Sequence, residues 1–263
     1  MMSGLGSYVL GSFCYNWNPL DRPRLFYFQT KSYLNRYIAR RNPSNRVFSV
    51  SVGGKKIYFR DNWFDPRSLP CVFQNCYTLL DPNIFKNIST FVDVGANIGL
   101  ISACAKLHSP ECGIVCFEPL AKNAELCKRN NPDARVEQYA LAARADSLRL
   151  LVDPCGYKAS KMRFPYMQIP KGVQAITLDQ YFWNLQGHID LMKISVEGME
   201  YEVIAGGSKT LSKTRRVIAD IHSEKLREVF LEKMKEYNFL LTSIRLLRKG
   251  RAVVHLKNSE MAS

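Results

Sequence analysis

Two carboxylates and a pair of glycines carry the first chemical signal in this 263-residue chain. The segment Phe91-Val92-Asp93-Val94-Gly95-Ala96-Asn97-Ile98-Gly99 reads as a buried strand that ends in Asp-x-Gly and turns directly into a helix. Gly95 lets the backbone turn sharply and lets a ligand come close. Gly99 lets the helix pack near the strand, and the free N–H groups at the helix start can bind polar ligand atoms. The spacing is not that of the dinucleotide fingerprint G-x-G-x-x-G. Asn97 stands between the glycines, which disfavours a pyrophosphate lying against the loop. Twenty-five residues after Asp93, Glu118 closes the next strand in Cys116-Phe117-Glu118-Pro119. A carboxylate there can accept hydrogen bonds from both hydroxyls of a ribose. Together the two strand ends point to an adenosine ligand without a pyrophosphate, S-adenosylmethionine. The alternative is a structural strand–helix turn with two surface acids.

The elements around these residues alternate. Strands are expected at Thr90–Val94, Gly113–Phe117, Arg135–Ala140, Ile189–Ile194 and Arg216–Ile221, with helices at Ile98–His108, Pro119–Asn130, Glu200–Leu211 and Glu224–Tyr237. Such alternation implies a parallel sheet covered on both faces. Ser147–Val152 reads as a strand of a different kind near an edge, and Leu240–Leu247 with Arg251–Leu256 as a closing antiparallel hairpin. Residues 153–172 form a long loop with basic and aromatic side chains. Upstream, residues 24–41 read as an amphipathic helix with stripes Tyr27/Leu34/Ile38 and Phe26/Tyr33/Tyr37, stopped at Asn42-Pro43. It is either a packing helix or a membrane-surface helix. Val47–Ser51 and Lys55–Phe59 form a hairpin around Gly53-Gly54, and residues 61–89 are irregular with short helical pieces, with Asp65-Pro66 and Asp81-Pro82 as breakers.

Composition fits an ordinary globular chain, with 46% hydrophobic and 23% charged residues. No apolar run approaches the ~20 residues of a membrane-spanning helix. The N-terminus is a poor signal peptide, and the eight cysteines contain no C-x-x-C pair. Both observations predict a cytoplasmic protein with buried free thiols. The net charge of +14 sits at the ends: residues 1–60 carry ten Lys and Arg against one Asp, and residues 241–263 carry five against one Glu. That excess favours an anionic partner, whether an acidic substrate, nucleic acid or a membrane surface, or else it is a solvated basic face that aids solubility. Two units are expected, a basic extension over 1–46 and a domain over 47–263 whose Rossmann-like core begins near 88.

FVDVGANIGL, CFEP, Tyr139-Ala140-Leu141, IDLMKISVEGMEYEVIAGG and VIADIH occur in that order, and over about residues 47–240 the chain resembles the FkbM-type S-adenosylmethionine-dependent methyltransferases. The resemblance implies an α/β class I methyltransferase fold: three layers, with a seven-stranded, mostly parallel sheet ending in an antiparallel hairpin, here behind an N-terminal helix and hairpin. It implies O-methylation of a sugar, glycolipid or secondary metabolite. Carried over, Asp93, Gly95, Ala96, Asn97 and Gly99 would surround the methionine part of the cofactor. Glu118 with Pro119 would hold the ribose, and Ala140 and Leu141 would wall the adenine.

One position departs from the family. Ser195 stands in Lys193-Ile194-Ser195-Val196-Glu197-Gly198 where an Asp is usual, at the strand end beside the transferred methyl. A hard cation prefers carboxylates, so a metal-independent transfer is expected, with Ser195 among the cofactor contacts and no metal site. Two groups could take the hydroxyl proton. His222 has the pKa for base work at neutral pH, the alternative being a histidine that caps the following helix or binds the backbone. Glu197 is the orienting or reserve carboxylate, or else binds the cofactor's amino group or stabilises its loop. Lys193 would orient a carboxylate neighbour. Lys158, Lys161 and Arg163 in the 153–172 loop point to an acceptor with acidic or phosphate groups. Two other readings stay open: a nucleic-acid methyltransferase, which the charge invites although no Asn-Pro-Pro-Tyr motif is present, and a non-catalytic S-adenosylmethionine binder or membrane-surface protein.

Overall fold

The computed structural model describes residues 19–37, 46–62, 64–73, 82–153, 159–160 and 169–261. In chain order the elements are α1 (Arg22–Tyr37), β1 (Val47–Val52), β2 (Lys55–Arg60), α2 (Asp65–Phe73), β3 (Thr90–Val94), α3 (Leu100–His108), β4 (Gly113–Phe117), α4 (Ala121–Asn130), β5 (Arg135–Glu137), β6 (Ala140–Leu141), β7 (Asp146–Val152), β8 (Ala159–Ser160), β9 (Ile169–Ile176), α5 (Leu178–Tyr181), β10 (Leu191–Ile194), α6 (Glu200–Ala205), α7 (Ser208–Ser212), β11 (Arg216–Ile221), α8 (Glu224–Glu236), β12 (Phe239–Leu246) and β13 (Ala252–Asn258).

Seven strands form the main sheet in the order β12-β13-β11-β10-β3-β4-β5. β10 pairs in parallel with β3 and β11, and β3–β4–β5 continue in parallel. β13 runs antiparallel to both β11 and β12. This is the class I methyltransferase arrangement. The two central strands are buried on both faces, so β3 and β10 read as near-continuous apolar runs. The order of the strands reverses beside β3, and such a point is where open α/β sheets bind ligands.

Two cores flank the sheet. One packs Val92, Val94, Met192, Ile194, Val217, Ala219, Phe230 and Val254. The other packs Phe91, Ile98, Cys116 and Leu191 together with Leu25, Phe28, Val50, Ile57 and Phe59. The N-terminal helix and hairpin therefore share a core with the parallel sheet. Within α1 the packed residues are Leu25, Phe28, Gln29 and Ser32, whereas Phe26, Tyr27 and Leu34 face outward. Of the expected stripes, Phe26, Tyr27 and Leu34 thus lie on the solvent side, because the aromatic-rich sequence offers an apolar row on more than one face. Its expected stop at Asn42-Pro43 lies outside the described residues.

Other boundaries also differ. Asp65-Pro66 starts α2 rather than breaking the chain. Asn62 Oδ1 accepts the Phe64 and Asp65 N–H groups at 2.8 and 2.7 Å, and Pro66 sits in the first turn, where a missing N–H costs nothing. Pro119 precedes its helix, which begins at Ala121. The strand expected over Arg135–Ala140 splits: β5 belongs to the main sheet, while β6 joins β9, β7 and β8 in a second, four-stranded sheet. Part of the expected 153–172 loop is strand, since β9 pairs antiparallel with β7 from Ile169. Cys71, Cys104, Cys112, Cys116 and Cys127 are free thiols. No helix among the described residues is long and apolar enough to cross a membrane.

Candidate active site

A cavity of about 130 Å³ opens at the carboxyl ends of β3, β4 and β10. Of the residues singled out from sequence, Gly95, Ala96, Asn97, Glu118, Pro119, Ala140, Leu141, Ser195 and Glu197 all line it. Asp93, Gly99 and His222 do not. Sequence reading missed Ser68 and Val72 of α2 and Leu150 of β7, which also line the wall. Their elements lie in the stretch read as irregular with short helical pieces and in the second sheet, and neither carries a motif.

The β3 loop is fixed from both sides. Gly95 has φ +74°, and a Cβ there would lie 2.1 Å from the carbonyl oxygen of Ser195. The two central strand ends thus touch across the cavity floor, and only glycine fits. Gly95 and Ala96 donate their N–H groups to the Phe117 carbonyl at 2.9 and 3.0 Å. Lys193 Nζ donates to the carbonyls of Gly95 at 2.7 Å and Val94 at 3.2 Å and pairs with Asp93 at 3.0 Å. Asp93 is fully buried and accepts the Ser102 hydroxyl at 2.7 Å. It was expected around the methionine; it sits instead on the face it shares with Phe91, where successive strand residues alternate. Its work is to hold Lys193, which holds the loop. Gly99, likewise expected at the methionine, packs against α4: a Cβ on it would lie 2.7 Å from Cys127 Sγ and 2.3 Å from Asn131 Nδ2.

Glu118 is 5% exposed and bridges the loops. Its Oε2 accepts the Asn97 N–H at 2.9 Å, and its Oε1 accepts the Leu120 N–H at 3.0 Å and the Asn123 amide at 3.2 Å. Burial pushes its pKa up, against these three hydrogen bonds and the charge of Lys193. A carboxylate offers about four acceptor sites, so this anion is under-compensated and faces a cavity. Ribose hydroxyls would supply the missing donors. The residues present therefore fit S-adenosylmethionine.

The third strand end builds an acid–imidazole cluster. Glu197 adopts φ +52°, unusual for a residue with a side chain, and is followed by Gly198 at φ +98°. The turn is held by Glu200, whose Oε1 accepts the Val196 and Gly198 N–H groups at 3.2 and 3.1 Å. The same oxygen lies 2.9 Å from His222 Nδ1, and His222 Nε2 lies 3.3 Å from Glu197 Oε2. Burial works against a charged His222, yet the hydrogen bonds and charges of Glu197 and Glu200 outweigh it and push its pKa up to about 10. His222 is thus an imidazolium at neutral pH. This corrects the expectation that its pKa suits base work, and it leaves Glu197 as the carboxylate of the cluster that reaches the cavity. From sequence Glu200 is only a residue turned into the next helix, and the structure instead brings its carboxylate to His222. Lys158, Lys161 and Arg163 lie outside the described residues.

A family model described as the methyltransferase FkbM domain matches residues 93–247. A curated relative, the 2-O-methyltransferase NoeI of Sinorhizobium fredii, is 26% identical over 159 residues, which cover 52% of this chain and 65% of that protein. The match therefore spans less than two thirds of the relative's length. Among solved structures, the fibrillarin pre-rRNA processing protein of Methanococcus jannaschii is 9% identical with a TM-score of 0.45, covering 68% of this chain and 69% of its own. The precorrin-6y C5,15-methyltransferase of Geobacter metallireducens is 10% identical with a TM-score of 0.41, covering 69% and 91%.

Proposed function

The chain belongs to the FkbM methyltransferase family, whose cofactor is S-adenosylmethionine, and from that premise we propose that it O-methylates a sugar, glycolipid or secondary metabolite. The observation that carries the oxygen acceptor is Glu197, a carboxylate on the cavity wall held in a strained turn and backed by His222. A strained backbone of this kind costs roughly 1–3 kcal/mol and persists only where its surroundings over-determine it. The similarity to a 2-O-methyltransferase supports the same acceptor class.

When bound, the cofactor supplies an electrophilic methyl group on a sulfonium. Glu118 would bind the ribose hydroxyls, and Ala140 and Leu141 would flank the adenine. Gly95, Ala96, Asn97 and Ser195 would form the wall at the methionine end. Glu197 would accept the acceptor's hydroxyl proton as the oxygen bonds to the methyl group and the sulfonium–methyl bond breaks, while the His222 imidazolium fixes the carboxylate's orientation. Positioning supplies much of the acceleration in such a transfer, and a proton acceptor in reach contributes typically 10²–10⁴-fold. Mass spectrometry of glycans, lipids and metabolites from cells with and without the gene tests this reading. A hydroxylated compound that loses one methyl ether when the gene is absent is the expected result. Loss of a methyl from a nitrogen, or from nucleic acid, would overturn it.

A further inference from the structure

We propose that the outer edge of the large sheet, β12 with the turn after it, is a docking surface for an anionic lipid bilayer. β12 ends the sheet, with β13 on one side and no strand on the other among the described residues. The register sets Leu241 opposite Leu256, Ile244 opposite Val254 and Leu246 opposite Ala252. Paired residues share a face, so these three extend a buried row outward. Leu256, Val254 and Ala252 are at most 2% exposed, whereas Leu241, Ile244 and Leu246 are 45%, 43% and 67% exposed. Leu240, on the opposite face, is 59% exposed. A long apolar edge strand left open is a liability that proteins usually charge, break or cover.

Charge decides what covers it. From Leu240 to Lys257 the chain carries Arg245, Arg248, Lys249, Arg251 and Lys257 and no Asp or Glu. Arg251 pairs with Asp220 at 2.6 Å. Arg245, Arg248, Lys249 and Lys257 form no ion pair among the described residues. A second copy of the same edge would bring these cations together with no acid to answer them. An anionic bilayer answers them, and it also takes the apolar row at its headgroup boundary. Ala252, the first residue of β13, lies opposite Ile221, the last residue of β11. The turn 247–251 therefore projects from the same carboxyl edge as the cavity, which sets the bilayer on the side where the acceptor binds. The surface lies apart from the methyl-transfer groups, so its test stands whether or not the reading of those groups holds.

Flotation of the full chain with vesicles of phosphatidylcholine, alone or mixed with phosphatidylserine, tests the proposal. The expected result is binding to the anionic vesicles only, weakened by added salt. Removing two cations, as in Arg248→Ala with Lys249→Ala, should weaken it roughly 30-fold, taking each basic residue near the surface at about fivefold. Leu241→Ser with Ile244→Ser and Leu246→Ser should abolish stable binding. Retained S-adenosylmethionine affinity verifies that each variant is folded. Equal binding to neutral vesicles, no binding to anionic ones, or folded variants that bind like the parent would each overturn the proposal. So would a dimer in light scattering that the apolar-to-Ser variant dissociates, or salt-sensitive binding to RNA in place of vesicles.

Discussion

Glu200 Oε1 lies 2.9 Å from His222 Nδ1 and accepts the N–H groups of Val196 and Gly198 with the same oxygen. One buried carboxylate thus ties the turn that presents Glu197 to the end of β11. Removing a partner from a buried charged pair strands the other, at a cost of about 3–5 kcal/mol. Glu200→Ala should lose about that much stability in urea unfolding. Glu200→Gln keeps an acceptor for the two N–H groups, so it should lose less and retain cofactor affinity. Equal stability of the parent and Glu200→Ala would show that the cluster does not organise the turn.

The same cluster sets a pH dependence of stability. His222 has a pKa near 6.5 when unfolded and about 10 when folded. A raised pKa means that the folded state binds the proton more tightly. Its stabilisation is fully present below about pH 6.5 and is lost as the pH rises to about 10. Melting temperature should therefore fall across that window, and His222→Gln should flatten the fall. A parent whose stability is constant from neutral pH to pH 10 would contradict the clamped imidazolium.

Glu118 predicts proton-linked cofactor binding. Burial raises its pKa, and ribose hydroxyls favour the ionised form. Affinity for S-adenosylmethionine should therefore drop as the pH falls through the raised pKa. Glu118→Ala should weaken binding at least about tenfold, from the ~1.5–3 kcal/mol of hydrogen bonds to a charged group. Calorimetry across pH measures both effects. A pH-independent affinity that Glu118→Ala leaves unchanged would remove Glu118 from the site.

The two loop glycines separate packing from binding. A Cβ at Gly99 meets Cys127 and Asn131 of the interior, and a Cβ at Gly95 meets the Ser195 backbone beneath the cavity. Gly99→Ala should cost about 1–3 kcal/mol, the usual scale for overpacking, and lower the melting temperature. Gly95→Ala should force the two strand ends apart and abolish cofactor binding. If both variants bind S-adenosylmethionine normally, the close approach of the loops has no part in the site.

Much of this architecture was legible from residue type and spacing. Apolar strands ending in Asp-x-Gly and Glu-Pro located the central sheet, and Glu118 with the Gly95–Asn97 turn fell on the cavity wall. What escaped was set by contacts remote in sequence. Asp93 looks like a ligand group in the chain but is an interior anchor for Lys193, one hundred residues away. His222 looks like a base until the two carboxylates around it are seen. β6 and β9 separate from the main sheet because Ala140 and Leu141 pair with Ala175 and Ile176, and no local pattern announces that pairing. The outward Phe26, Tyr27 and Leu34 of α1 show the same limit, since periodicity finds an apolar stripe but not the side that packs.

The central claim is methyl transfer to a hydroxyl with Glu197 as proton acceptor. Its most direct test uses S-adenosylmethionine labelled in the methyl group, incubated with a cell extract and either the parent chain or Glu197→Gln. The parent should place label in a nuclease-resistant, alkali-stable product, as a methyl ether is. Glu197→Gln should bind the cofactor like the parent and transfer label about 10²–10⁴-fold more slowly, the usual range for loss of a general base. Label that alkali or nuclease releases, or a Glu197→Gln chain as fast as the parent, would contradict the account.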